Sequence, residues 1–178
     1  TLVTQLSEGA PADVFASADE ANMDKVADIV VDPELFATNT LVIAVPTGNP
    51  GDVRDLQDLA GVTTVLCAPE VPCGAASQKL LDAAGVAVSP ASVEQNVTAV
   101  LTKVATGEAD AGLVYATDAK GNGAVESIVP AGAEDVVNRY PIAALSDARH
   151  PENAEAFVAF VRSDAGQAIV ARFGFGAP

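Results

Sequence analysis

"TTVLCAPEVPCGAASQKLLDAAG", residues 63–85, decides the fold. Thr63 to Cys67 are apolar or β-branched and read as a buried strand. "CGAASQKLLDAAG", residues 73–85, reads as a helix closed by Gly85. The turn between them holds Pro69 and Pro72, and the unit contains both cysteines of the chain, Cys67 and Cys73. The alternation continues downstream, where Val86–Val88 is expected as a short strand. Ser92 and Gln95 then stand at capping-box spacing ahead of a stripe of Val93, Val97, Val100, Leu101 and Val104, closed by Gly107. "AGLVY", residues 111–115, follows as another buried strand. Strands alternating with helices of this length predict an α/β fold with parallel strands and right-handed crossovers.

Upstream, "TLVIAVP", residues 40–46, is a strand broken by Pro46 and Gly48, and a hinge is expected there. "DVRDLQDLAG", residues 52–61, is expected as a short helix closed by Gly61. Val14–Ala16 is a short strand, and Asp19 is placed to cap a helix running through Met23 to about Ala27. Leu2, Val3 and Leu6 have helical spacing but Gly9 follows at once, so the opening reads as the tail of a longer helix and residues before Thr1 are expected in the parent protein. Downstream, "KGNGAVESIVPAGAEDVVN", residues 120–138, is loop-rich. "RYPIAAL", residues 139–145, is a second candidate for crossing between lobes, and Ala154, Phe157, Val158 and Val161 share one face of a closing helix. This order predicts two lobes joined by two strands: residues 1–44 with 140–178, and residues 45–139.

With 178 residues, 49% of them hydrophobic, the chain is long and apolar enough to build real cores. A net charge of −15 repels nucleic-acid phosphates and anionic lipid, so a nucleic-acid partner is not expected. The sequence has neither a run of roughly 20 apolar residues nor a signal-peptide pattern.

Cys-x5-Cys without a neighbouring histidine is poor zinc geometry, so no metal centre is expected. Lys79 stands where a cysteine phosphatase loop would place arginine. A disulfide between Cys67 and Cys73, stapling the loop ahead of the helix in an oxidising compartment, is the favoured reading. Two buried free thiols are the alternative, and a catalytic thiol is the third. One histidine, His150 in a loop, and no paired carboxylates near the strand ends argue against an enzyme.

In an open α/β sheet the ligand crevice lies beyond the carboxyl ends of the strands, where helix N-termini converge. Cys73-Gly74-Ala75 is such a terminus, with Gly74 expected to leave the backbone accessible. Val97, in the first turn of the next helix, offers further amides. Tyr115, closing its strand, can aim a hydroxyl at the same point. None of these donors carries a formal charge, which suits a fully deprotonated dianion that only accepts hydrogen bonds. Asp118 is expected to be a turn or cap residue, as are Asp13 and Asp19.

"GAPADVFASAD", "NTLVIAV", "VPCGAAS", "GEADAGLVYATDA", "YPIAAL" and "GFGAP" together resemble the molybdate-binding proteins of bacterial ABC transporters, across essentially the whole chain. The resemblance implies a type II periplasmic binding protein: two α/β lobes, two crossing strands, and a tetrahedral oxyanion held by neutral donors. Its ligand would be molybdate, and tungstate beside it, passed to a membrane permease and its ATPase. The protein would work outside the cytoplasm, in the periplasm or lipid-anchored at the outer face of the membrane, without catalysis or cofactor. Ligand contacts are implied at the amide of Cys73, where relatives often carry alanine, at the amide of Val97 and at the hydroxyl of Tyr115.

The family's two ligand serines have no match here, nor do its opening strand, helix and second strand. The first lobe is therefore expected to be incomplete. Two missing donors would weaken binding by roughly two to four decades, and exchange of elements with a second copy would be a route to completing the lobe. The competing readings are a binding protein for sulfate or another tetrahedral oxyanion, an enzyme on the same fold such as hydroxymethylbilane synthase, or the effector domain of a regulator.

Overall fold

The structure is a computed structural model and describes residues 2–178. The chain forms two compact units, one from the residues up to Thr38 together with Asn138–Pro178, the other from Asn39–Val137. No helix among the described residues is long and apolar enough to cross a membrane.

The first unit opens with helix α1 (Leu2–Ser7), strand β1 (Val14–Ala16) and helix α2 (Glu20–Asp24). Asp19 caps α2 by accepting from the Asn22 amide at 2.7 Å. The helix ends at Asp24, short of the predicted Ala27, and a 3-10 turn over Ala27–Ile29 follows. Strand β2 (Val30–Asn39) lies where no strand is expected, because Asp32, Pro33 and Glu34 interrupt its apolar residues. In the same unit Asp13 Oδ1 accepts from the Arg149 amide at 2.7 Å.

The second unit is built on a five-stranded sheet. Its elements are β3 (Leu41–Pro46), β4 (Thr64–Cys67), α3 (Pro72–Ala84), β5 (Ser92–Glu94), α4 (Val97–Ala105), β6 (Ala111–Tyr115), the short α5 (Ala116–Ala119) and β7 (Val125–Ile128). The strand order is β5-β4-β6-β3-β7. β4 runs parallel to β5 and β6, whereas β3 runs antiparallel to β6 and β7, so the sheet is mixed and not wholly parallel as predicted. The register explains the reversal: Leu41 lies opposite Tyr115, so the chain enters the sheet at the end where β6 finishes and must run back along it.

Three local expectations for this unit give way to other structure. Residues 52–61 form only a 3-10 turn at Gln57–Ala60, because Asp52 stands in the left-handed region at φ 48° and the Val53 carbonyl, which a helix would use, accepts from Asn49 Nδ2 at 2.8 Å. Val86–Val88 is not a strand. There the Val86 amide turns back to the Leu81 carbonyl at 2.9 Å, and Gly85, at φ 66°, closes α3 in a Schellman turn. The strand comes later, as Ser92–Glu94 pairs with Val65–Cys67. Ser92 therefore does not cap a helix; Asn96 caps α4, and Val93, 55% exposed, lies outside the stripe.

Every residue of β6 is buried, and α4 lies against it through Val100 and Val104. Fully burying such side chains contributes about 1.5–3 kcal/mol each. The close approach depends on Gly112, since a Cβ there would stand 2.7 Å from Val100 Cγ1 and 3.0 Å from the Val65 carbonyl oxygen.

The chain then returns to the first unit as β8 (Asn138–Leu145), helix α6 (Pro151–Arg162) and helix α7 (Asp164–Arg172). β8 is the middle strand of the order β1-β8-β2, antiparallel to β1. The single closing helix predicted from the sequence is split at Ser163, whose extended backbone stops α6 and whose hydroxyl caps α7 at the Gly166 amide. Ala154 and Val158 are buried, whereas Phe157, at the edge of the same face, is half-exposed. Phe15, Met23, Val26, Ala143 and Leu145 form this unit's core.

Candidate functional site

Three strand-to-helix junctions stand side by side along one edge of the second unit's sheet. β4 ends at Cys67, β5 at Glu94 and β6 at Tyr115, and all three strands point the same way. Cys67 is level with Glu94, and Thr64 with Ala111, so the three ends fall in line within about one residue. Each junction leads into a helix: α3 after β4, α4 after β5, α5 after β6. The sequence places Cys73, Val97 and Tyr115 at these junctions.

The amides of the first turns show what this edge can offer. α3 begins with Pro72, which has no N–H. The Gly74 and Ala75 amides both donate to the Val71 carbonyl at 3.0 Å. Cys73 is left as the one amide of that turn with no acceptor among the described residues. In α4, Asn96 Oδ1 accepts from the Ala99 amide at 2.9 Å, and the amides of Val97 and Thr98 find no acceptor among the described residues. Both termini project the positive end of a helix of nine residues or more.

Gly74 does something other than expected. A Cβ at this position would fall 1.9 Å from the Ala68 carbonyl oxygen and 2.9 Å from that of Cys67. The glycine therefore lets the helix start press against the end of its own strand, and the amide left without an acceptor among the described residues is its neighbour's. Cys67 and Cys73 form a disulfide with a Cα separation of 5.8 Å, both residues being buried.

Further bonds tie the junctions to one another. The Ala68 amide donates to the Glu94 carbonyl at 2.8 Å, and Gln95 Nε2 donates to Glu70 Oε1 at 3.1 Å. Glu70's own backbone amide, and then Gln95, hold its carboxyl below the usual carboxylate range. Hydrogen bonding from Lys103 and then Ser92 lowers the Glu94 carboxyl likewise. No Lys or Arg occurs in residues 67–75, 94–98 or 115–118. The Asn96 cap and the Glu70–Gln95 bond lie outside the sequence expectations; the asparagine directly before Val97 is the signal for the cap.

Tyr115 ends β6 as the N-cap of α5 and is buried. Asp118, in the first turn of α5, reaches back to the Tyr115 backbone, as a capping residue does. Its Oδ2 is buried and finds no partner, and burial raises the carboxyl's pKa against the lowering effect of the Tyr115 bond. The folded state thus binds the Asp118 proton more tightly than the unfolded chain does. The resulting stabilisation is fully present below the ordinary value of 3.8 and is lost as pH rises through the raised value. Asp118→Asn removes this titration, so the melting temperature of the variant should fall less than that of the parent as pH rises through this window. Parallel curves from calorimetric scans across acid pH would contradict it.

The family described as "Bacterial extracellular solute-binding protein" matches residues 1–176. The chain is 47% identical over 183 residues to the molybdate-binding protein ModA of Mycobacterium tuberculosis, covering 99% of this chain and 70% of that protein. Among solved structures it resembles the substrate-binding domain of a putative molybdenum ABC transporter from Clostridium difficile, with TM-score 0.73 and 25% identity, covering 99% of this chain and 82% of the other. It also resembles the periplasmic molybdate-binding protein of Azotobacter vinelandii, with TM-score 0.80 and 22% identity over 99% and 83% of the two chains; at that identity the likeness concerns the fold.

Proposed function

The chain belongs to the bacterial extracellular solute-binding proteins, and within them to the molybdate-binding proteins, and from that membership we propose that its Asn39–Val137 unit supplies neutral donors to a tetrahedral dianion, molybdate and also tungstate. The observation that carries this reading is the set of unspent amides, Cys73, Val97 and Thr98, at the starts of two helices that follow neighbouring parallel strands. The Tyr115 hydroxyl is the further donor in this proposal.

A dianion offers only acceptors, and each hydrogen bond to it is worth about 1.5–3 kcal/mol. The helix dipoles add about 0.3–1 kcal/mol each. The net charge of −15 does not oppose this at contact distance, because salt screens distant charge within roughly 8 Å. A protonated phosphate would need an acceptor carboxylate, and the nearest one in sequence to the α3 start, Glu70, is already engaged by Gln95.

As a carrier the protein captures the oxyanion outside the cytoplasm, in the periplasm or anchored at the membrane, and passes it to a permease driven by an ATPase; no covalent bond is made or broken. The buried disulfide suits that oxidising setting. Calorimetric titration with molybdate, tungstate and sulfate tests the reading, and absence of any molybdate-dependent heat would defeat it. Tyr115→Phe removes one hydroxyl and should weaken molybdate roughly 10- to 100-fold. Undiminished affinity in that variant would remove Tyr115 from the donor set.

A further inference from the structure

We propose that the Cys67–Cys73 disulfide sets the anion selectivity of this edge, with Cys67 as a positioning residue that fixes where the Cys73 amide points; the inference rests on the oxyanion-binding reading above. The disulfide ends on the one residue of α3's first turn whose amide is unspent. Its other end, Cys67, is the last residue of β4, held in register with Glu94 of β5 and 4% exposed. The bridge thus transfers the rigidity of the sheet to a single donor. The intervening turn is also tied to the neighbouring junction, through Ala68 to the Glu94 carbonyl and through Glu70 to Gln95. The Cys73 and Val97 amides consequently belong to one frame, although they start different helices.

Selectivity follows from that rigidity. Molybdate, tungstate and sulfate carry the same charge and shape, and donors without formal charge can separate them only by spacing. Molybdate and tungstate have longer bonds to oxygen than sulfate. Hydrogen bonds weaken steeply away from their preferred length and angle, so donors fixed at the wider spacing serve the larger ions better. Donors free to move would follow either ion, at the entropic cost of ordering them on binding.

Cys67→Ala with Cys73→Ala removes the tether and keeps every proposed donor, since alanine retains the amide. Competition calorimetry with molybdate and sulfate should show molybdate weakened roughly tenfold by the lost preorganisation, sulfate changed much less, and the ratio between them reduced accordingly. Leu59→Ala serves as the control. Leu59 is buried at the opposite end of β4, where its carbonyl accepts from Thr64 Oγ1 at 2.8 Å, so the variant should melt earlier yet keep the molybdate-to-sulfate ratio. Should the double alanine variant not fold, Cys67→Val with Cys73→Ala fills the strand position and is read the same way. Molybdate binding with an unchanged ratio would reduce the disulfide to a structural staple and overturn the inference. Failure of the unaltered protein to bind molybdate would overturn the oxyanion reading itself, and this inference with it.

Discussion

Gly74→Ala is expected to destabilise the protein by about 3 kcal/mol or more, at the upper end for overpacking, and to abolish measurable oxyanion binding with it. The added methyl would stand 1.9 Å from the Ala68 carbonyl oxygen and 2.5 Å from its carbon, both backbone atoms that no rotamer change can move aside. Relief requires α3 to withdraw from β4. The disulfide resists this, because Cys73 precedes the glycine and is bonded to the last residue of the strand. Withdrawal would also strain the bonds that tie Ala68 to Glu94 and Glu70 to Gln95. Chemical denaturation should show the loss of stability. A variant of parental stability would mean that α3 does not start against Ala68, and the frame described for the donors would be wrong.

Val97→Pro carries the second large effect, and it falls on binding while sparing the fold. Val97 is the first residue of α4, the position at which proline is best tolerated because its missing N–H has no partner in the helix. The same substitution is already natural elsewhere in the chain, as Pro72 opens α3 and Pro151 opens α6. The preceding residue must be extended for a proline to follow, and Asn96 is, at φ −160° and ψ 158°. The Asn96 cap on the Ala99 amide is untouched. The change therefore deletes one proposed donor and exchanges the partly buried Val97 side chain, packed against the core, for a proline ring that is also apolar, so the melting temperature should stay within a few degrees of the parent's while molybdate affinity falls roughly 10- to 100-fold.

What could be read in the sequence, and what could not, divides along physical lines. β3, β4 and β6 are dense runs of apolar and β-branched residues, and α3 ends on a glycine in the left-handed region, so composition alone locates them. β2 and β7 are only partly buried and have charged residues in mid-strand, so they lack such a run; ladder partners hold them in place, and those partners are distant in sequence. The direction of β3 is likewise invisible to periodicity, because an antiparallel and a parallel strand alternate their side chains in the same way.

At the site, the start of α3 is legible because Pro72 and Gly74 mark it. The Ser92–Gln95 spacing imitated a capping box and drew the start of α4 four residues too early, where pairing with β4 prevails. Which amide of a first turn stays free cannot be read from residue types. It depends on the Val71 carbonyl taking the Gly74 and Ala75 amides, a consequence of how closely α3 approaches β4.

The central claim is that backbone amides at the starts of α3 and α4 replace water around a doubly charged oxyanion. Isothermal titration of molybdate into the unaltered chain and into Val97→Pro, with melting curves recorded for both, tests it most directly. Saturable binding to the first is expected, binding weaker by at least about tenfold to the second, and melting temperatures within a few degrees of each other. Equal affinities in two equally stable proteins would contradict it.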